Sequence, residues 1–134
     1  MTLFGHYRSK IRHATAEQIS AAIRRVWAED HHGFLILKDE SDRNISFIQI
    51  CFDSKYGGFC VEVQRSMPRS QYRLNRPASE VEANALFTGF ILRGLGVMDE
   101  GKWIDVTESI FGSESELEQA LCKALGGRQK KDHL

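Results

Sequence analysis

Apolar residues recur along the chain with two periods, and the change from one to the other is punctuated. After Thr15 come Ile19, Ala22, Ile23, Val26 and Trp27, spaced i, i+3, i+4, i+7 and i+8, which puts one apolar stripe on a helix of about four turns. "TAEQ" (15–18), "SEVE" (79–82) and "SESE" (113–116) each match the capping box, in which a hydroxyl and a carboxylate or amide three residues later satisfy orphan amides at a helix start. The second box leads into Val81, Ala85, Leu86, Phe87, Phe90 and Ile91, a wider arc closed by Gly94 and Gly96, and predicts the most buried helix. The third leads into Leu117, Ala120, Leu121, Ala124 and Leu125, with Gly126 as a stop and residues 127–134 as a polar, flexible tail.

Between the first two helices the period shortens to two. "GFLILK" (33–38), "ISFIQICF" (45–52), "GFCVEVQRS" (58–66) and "RSQYRLN" (69–75) read as strands, the last two divided by Met67 and Pro68, and "KWIDV" (102–106) as a short fifth. Close spacing favours an antiparallel meander. Ile48, Ile50 and Phe52 share one face, as do Phe59, Val61 and Val63. The register closing the shortest loop pairs Phe52 with Phe59, Ile50 with Val61 and Ile48 with Val63. Cys51 then falls beside Cys60 and Gln49 beside Glu62 on the opposite face. The expected fold is α+β: a single domain over 1–134, with an antiparallel sheet of four to five strands and N-terminal, central buried and C-terminal helices. One sheet face carries the helices, while the other, partly polar, is open to a partner.

Composition narrows the function classes. The 134 residues carry 18 Lys+Arg and 18 Asp+Glu, a formal net charge of zero, which argues against a chain devoted to binding polyanions or membranes. Arg65, Arg69, Arg73 and Arg76 nevertheless cluster, and residues 99–118 are rich in Asp and Glu, a two-signed surface suited to a protein partner. The N-terminus lacks the apolar run of a signal peptide and no segment reads as a membrane span, so a cytoplasmic location is expected. Three cysteines, Cys51, Cys60 and Cys122, without C-x-x-C spacing signal neither a disulfide framework nor a zinc site.

No residue pattern commits to catalysis. Cys60 lies mid-strand beside Glu62, an anion that disfavours the thiolate a nucleophile needs. Adjacent His31 and His32 on extended backbone point oppositely, so only one could join Cys51 and Cys60 around a metal. Glu80, Glu82, Glu114, Glu116 and Glu118 suit first helical turns, where they complement the helix dipole. "GLGVMDEG" follows a helix and ends it, so it is not a phosphate loop. On strand 69–75, Arg69, Gln71 and Arg73 share one face and Tyr72 the other. RNA stacking would want the aromatic among the arginines; a charged edge strand or a protein-contact surface fits better.

The run "GGFCVEVQRSMPRSQYRLNRPASEVEANALFTGFILRGLGVMDEGKWIDV" (57–106) joins a glycine-led strand, an aromatic-bearing strand, a helix and a tryptophan segment. In this layout it resembles small bacterial immunity proteins, the antidotes to polymorphic toxins of contact-dependent inhibition or type VI systems. The resemblance implies a non-catalytic, cofactor-free protein, monomer or homodimer, that binds and neutralises a cognate protein toxin, with neither membrane nor nucleic acid as partner. Many such proteins against nucleases are acidic, and the zero net charge departs from that. For association, Arg65, Arg69, Arg73, Asp99 and Glu100 offer charge, and Tyr56, Tyr72 and Trp103 offer anchors, although packing explains the aromatics equally. Alternatives are a type III-like secretion chaperone, or a small enzyme or nucleic-acid-binding domain that no motif marks.

Overall fold

The alternation over 45–52 and 58–66 forms the centre of a seven-stranded antiparallel sheet. The computed structural model describes residues 1–5, 9–29, 33–41, 45–55, 57–99 and 102–111. In chain order these form β1 (Thr2–Gly5), β2 (Lys10–Ile11), α1 (Ala16–Glu29), β3 (Phe34–Asp39), β4 (Ser46–Asp53), β5 (Gly58–Ser66), β6 (Arg69–Leu74), α2 (Glu80–Arg93), a 3₁₀ segment (Gly94–Asp99), β7 (Trp103–Asp105) and α3 (Thr107–Phe111). The spatial order is β2-β1-β3-β4-β5-β6-β7. The class is α+β, as the pattern predicts. The expected five strands are all present, and the sheet is extended by β1 and β2, which are too short to show a period. The third helix expected after the box at 113 lies outside the described residues.

The central register is the one argued from sequence: Phe52 opposes Phe59, Ile50 opposes Val61, Ile48 opposes Val63, and Cys51 opposes Cys60. These apolar side chains face α1 and α2. Phe59, Val61, Val63, Ile48 and Ile50 are fully buried together with Ile19 and Ile23 of α1 and Phe87 and Phe90 of α2. Fully burying each such side chain contributes about 1.5–3 kcal/mol, so this layer dominates the stability. At its edge Trp27 meets Phe52 edge-on at 5.4 Å and Phe59 at 5.3 Å.

Two predicted capping boxes have their hydroxyl half in place. Thr15 Oγ1 accepts from the Gln18 amide at 3.1 Å while Gln18 Oε1 accepts from the Thr15 amide at 2.9 Å. Ser79 Oγ accepts from the Glu82 amide at 3.1 Å; Glu82 pairs its carboxylate with Arg76. α2 ends at Gly94, whose positive φ of 56° no branched residue adopts easily. α2 differs from expectation in its outward side. Ala83, Phe87, Gly89 and Phe90 are buried, but Val81 and Leu92 are 77% and 76% exposed, because the apolar arc is wider than the sheet contact beneath it. α1 and α2 are tied by Arg24–Glu80 at 3.5 Å and by Asn84 Nδ2 donating to Ser20 Oγ at 3.0 Å.

The glycine pair before β5 has two separate tasks. Gly57 turns the hairpin with φ +67°, donating its amide to Asp53 O at 2.9 Å. A Cβ on Gly58 would meet Pro77 Cβ at 2.8 Å and Ala78 O at 3.0 Å. That contact is the entry to α2, where Phe59 and Ala78 exchange two backbone bonds of 2.8 Å.

Candidate functional site

Strand alternation and register put one continuous row of side chains across the face away from α1 and α2: Lys10, Phe4, Ile36, Gln49, Glu62, Arg73 and Ile104, one from each strand from β2 to β7. A second row runs Thr2, Lys38, Phe47, Gln64 and Gln71. A third begins Phe34, Cys51 and Cys60. The face is thus apolar and aromatic over β1, β3 and β4, and polar over β5 and β6. Lys10 and Lys38 lie 5.6 and 6.0 Å from the Phe4 ring centroid, within cation–π reach. Lys10, Lys38, Arg69 and Arg73 share this face with the carboxylates of Glu62 and Asp53, and Lys38 pairs with Glu40 at 3.7 Å, so the face carries both signs of charge.

The polar half is organised around Glu62, which is only 8% exposed. Gln49 Nε2 donates to Glu62 Oε1 at 3.1 Å, and Gln71 Nε2 and Arg73 Nη2 donate to Oε2 at 2.9 and 3.2 Å. A buried carboxylate is tolerable only with such partners. Gln71 is held in turn by its backbone, whose amide donates to Thr107 Oγ1 at 2.9 Å and whose carbonyl accepts from the Val106 amide at 2.9 Å. The start of α3 therefore braces the network from the sheet edge. Beside it a cavity of about 240 Å³ is lined by Asp53, Cys60, Arg73, Leu74, Asn75, Arg76 and Pro77.

Cys51 is exposed and Cys60 half-buried, both as free thiols. Their mutual hydrogen bond draws the Cys51 thiol down to about 7, against the opposing effects of burial and of the Glu62 and Asp53 carboxylates. The same bond, together with burial, pushes the Cys60 thiol up. The exposed thiol is that of Cys51, whereas the Cys60 that the sequence brought forward is half-buried. Among the described residues no three His, Cys, Asp or Glu side chains converge as a metal site.

The contact candidates divide between the two faces. Arg69 and Arg73 lie on the open face. Arg65 and Tyr72 occupy the helix side, where with Ser70, Leu95 and Met98 they line a small cavity. Trp103 packs, partly buried, against the core. Asp99 is exposed at the end of the 3₁₀ segment, and Tyr56 and Glu100 lie outside the described residues. β6 is not an edge strand, since β7 pairs with it through Tyr72–Asp105, Arg73–Ile104 and Leu74–Trp103. The sequence reading passed over Phe4, Phe34, Phe47, Lys10 and Lys38. The alternation of "ISFIQICF" could have given Phe47, but Phe34 and Ile36 sit in a strand apolar on both sides, where periodicity marks no outer face.

In comparisons with known proteins, no family model, no curated protein and no solved structure matches the chain.

Proposed function

We propose that the chain is a non-catalytic, immunity-type protein that binds and neutralises a cognate secreted bacterial toxin in the cytoplasm, using the sheet face away from α1 and α2. The observation that carries this reading is the face itself: aromatic at one end, two-signed in charge, and built on seven strands. Six inter-strand steps of about 4.8 Å make it roughly 29 Å wide, and strands of six residues or so make it roughly 20 Å long. Such a footprint is comparable with the ~800 Å² that each partner contributes to a stable protein complex. Aromatic anchors and arginines are the side chains that dominate such interfaces, while two-signed charge selects a complementary partner surface and speeds association.

The test is co-expression with the toxin encoded beside the gene. The parent chain rescues growth and co-purifies with the toxin; Phe34→Asp and Arg73→Glu each weaken binding at least thirtyfold, whereas Val81→Asp and Leu92→Asp on the outward side of α2 leave it unchanged. Absence of both rescue and co-purification would sink the proposal. Loss confined to the α2 variants would move the interface off the sheet.

A further inference from the structure

We propose that Cys51 and Cys60 form a thiol–disulfide exchange site that reacts with small disulfides such as oxidised glutathione and closes into a cross-strand disulfide. Geometry carries the inference. Phe59 spends both backbone groups on Ala78, on the side away from β4. In an antiparallel ladder the next residue's groups point the other way, so Cys60 bonds to β4 and Cys51–Cys60 is a hydrogen-bonded pair. Such pairs have Cα atoms about 5.5 Å apart, inside the range that a disulfide spans, while their Cβ atoms must draw together from roughly 5.5 Å to the roughly 3.5–4.5 Å of a disulfide, which leaves the bond strained and easily reduced. The two side chains stand on the same face of adjacent strands. Cys51 is exposed, and a cavity lined by Asp53, Cys60, Arg73 and Arg76, its arginines paired with Glu62 and Glu82, opens beside the pair and admits a small reagent.

The chemistry balances. The Cys51 thiolate attacks one sulfur of oxidised glutathione, giving a mixed disulfide and releasing one glutathione thiolate. Cys60 then gives up its proton to solvent and attacks Cys51 Sγ, releasing the second glutathione. Two protein thiols are oxidised and one small disulfide is reduced to two thiols. The groups facing Cys51 are Cys60 and Glu62 on β5, Asp53 on its own strand and Arg73 on β6. The Cys51 hydrogen bond, burial and Glu62 all resist ionisation of Cys60.

The experiment uses the full chain carrying Cys122→Ser, treated with oxidised glutathione at neutral pH and followed by intact mass. The parent loses two hydrogens and keeps no glutathione. Cys60→Ser stops with one glutathione bound, and Cys51→Ser reacts at least tenfold more slowly, with urea midpoints confirming that all variants are folded. A stable glutathione adduct on the parent, an intermolecular disulfide, or a Cys51→Ser chain reacting as fast as the parent would overturn the proposal.

Discussion

Replacing Glu62 measures how far the polar half of the open face contributes to the fold. In Glu62→Ala the amides of Gln49 and Gln71 and the Arg73 guanidinium lose one shared acceptor. Hydrogen bonds to a charged group contribute about 1.5 kcal/mol each at the low end of their range. Two of the donors are amides, and Gln71, at 5% exposure, has little access to water as a replacement. The Arg73 side chain is 43% exposed, so its ion pair is screened and contributes no more than about 0.5 kcal/mol. The expected loss is about 3.5 kcal/mol. Glu62→Gln keeps the Gln49 bond but turns an amide toward the Gln71 and Arg73 donors, for a loss of about 2 kcal/mol. Arg73→Gln costs under about 1 kcal/mol. Urea unfolding followed by tryptophan fluorescence reads this out, since Trp27 packs against Phe59. With a slope near 1.5 kcal/mol/M, Glu62→Ala lowers the midpoint by about 2 M. If both Glu62 variants unfold within about 0.5 kcal/mol of the parent at unchanged slope, the network is ornamental and the reasoning fails.

Gly58→Ala should destabilise by about 2 kcal/mol or more, because the new methyl meets Pro77 and the Ala78 backbone, and an accompanying loss of protection at the Phe59 amide in hydrogen exchange would locate the damage. Ser79→Ala removes the α2 cap and should cost about 1 kcal/mol, with Ser79→Asp restoring most of it. The reaction of Cys51 with a small disulfide reagent should rise with pH to half its plateau near pH 7, since only the thiolate reacts; a midpoint near that of an ordinary thiol would contradict the Cys60 hydrogen bond. Asp105 accepts hydrogen bonds from Thr107, which hold its carboxyl below the usual range. A depressed folded value means stabilisation present above the ordinary carboxyl pKa and lost as pH falls through the folded one. Asp105→Asn should therefore weaken the chain at neutral pH and match the parent in acid.

The β4–β5 register was legible because its two alternating apolar sets, Ile48–Ile50–Phe52 and Phe59–Val61–Val63, admit a single in-phase pairing once the loop is kept short. β1 and β2 were not. Four and two residues carry no period, and their pairing depends on β3, some thirty residues away in the chain. Arg65 joined Arg69 and Arg73 by nearness in sequence, yet the two-residue turn at Met67–Pro68 pairs Arg65 with Ser70, so its side chain points to the helices and theirs away from them. α3 was passed over between the strand read to 106 and the capping box at 113: Asp105, accepting at 2.9 Å from the Thr107 amide, both ends β7 and starts a helix. Val81 was misjudged because a helix apolar around most of its circumference does not reveal which part the sheet covers.

The N-terminal strands also determine which surfaces the chain never offers to its own copies. β3 carries Phe34, Leu35, Ile36 and Leu37 in succession, and without β1 its backbone would form a flat apolar sheet edge, a template for self-association. β1 occupies that edge, and the outer rim passes to β2, two residues long and bearing Lys10. At the other rim β7 is only three residues long. Because β1 leaves the ribosome before β3, the cover exists before the edge that needs it. A chain lacking residues 1–11 should therefore fail first by aggregation during synthesis, not by loss of the buried layer beneath α1 and α2.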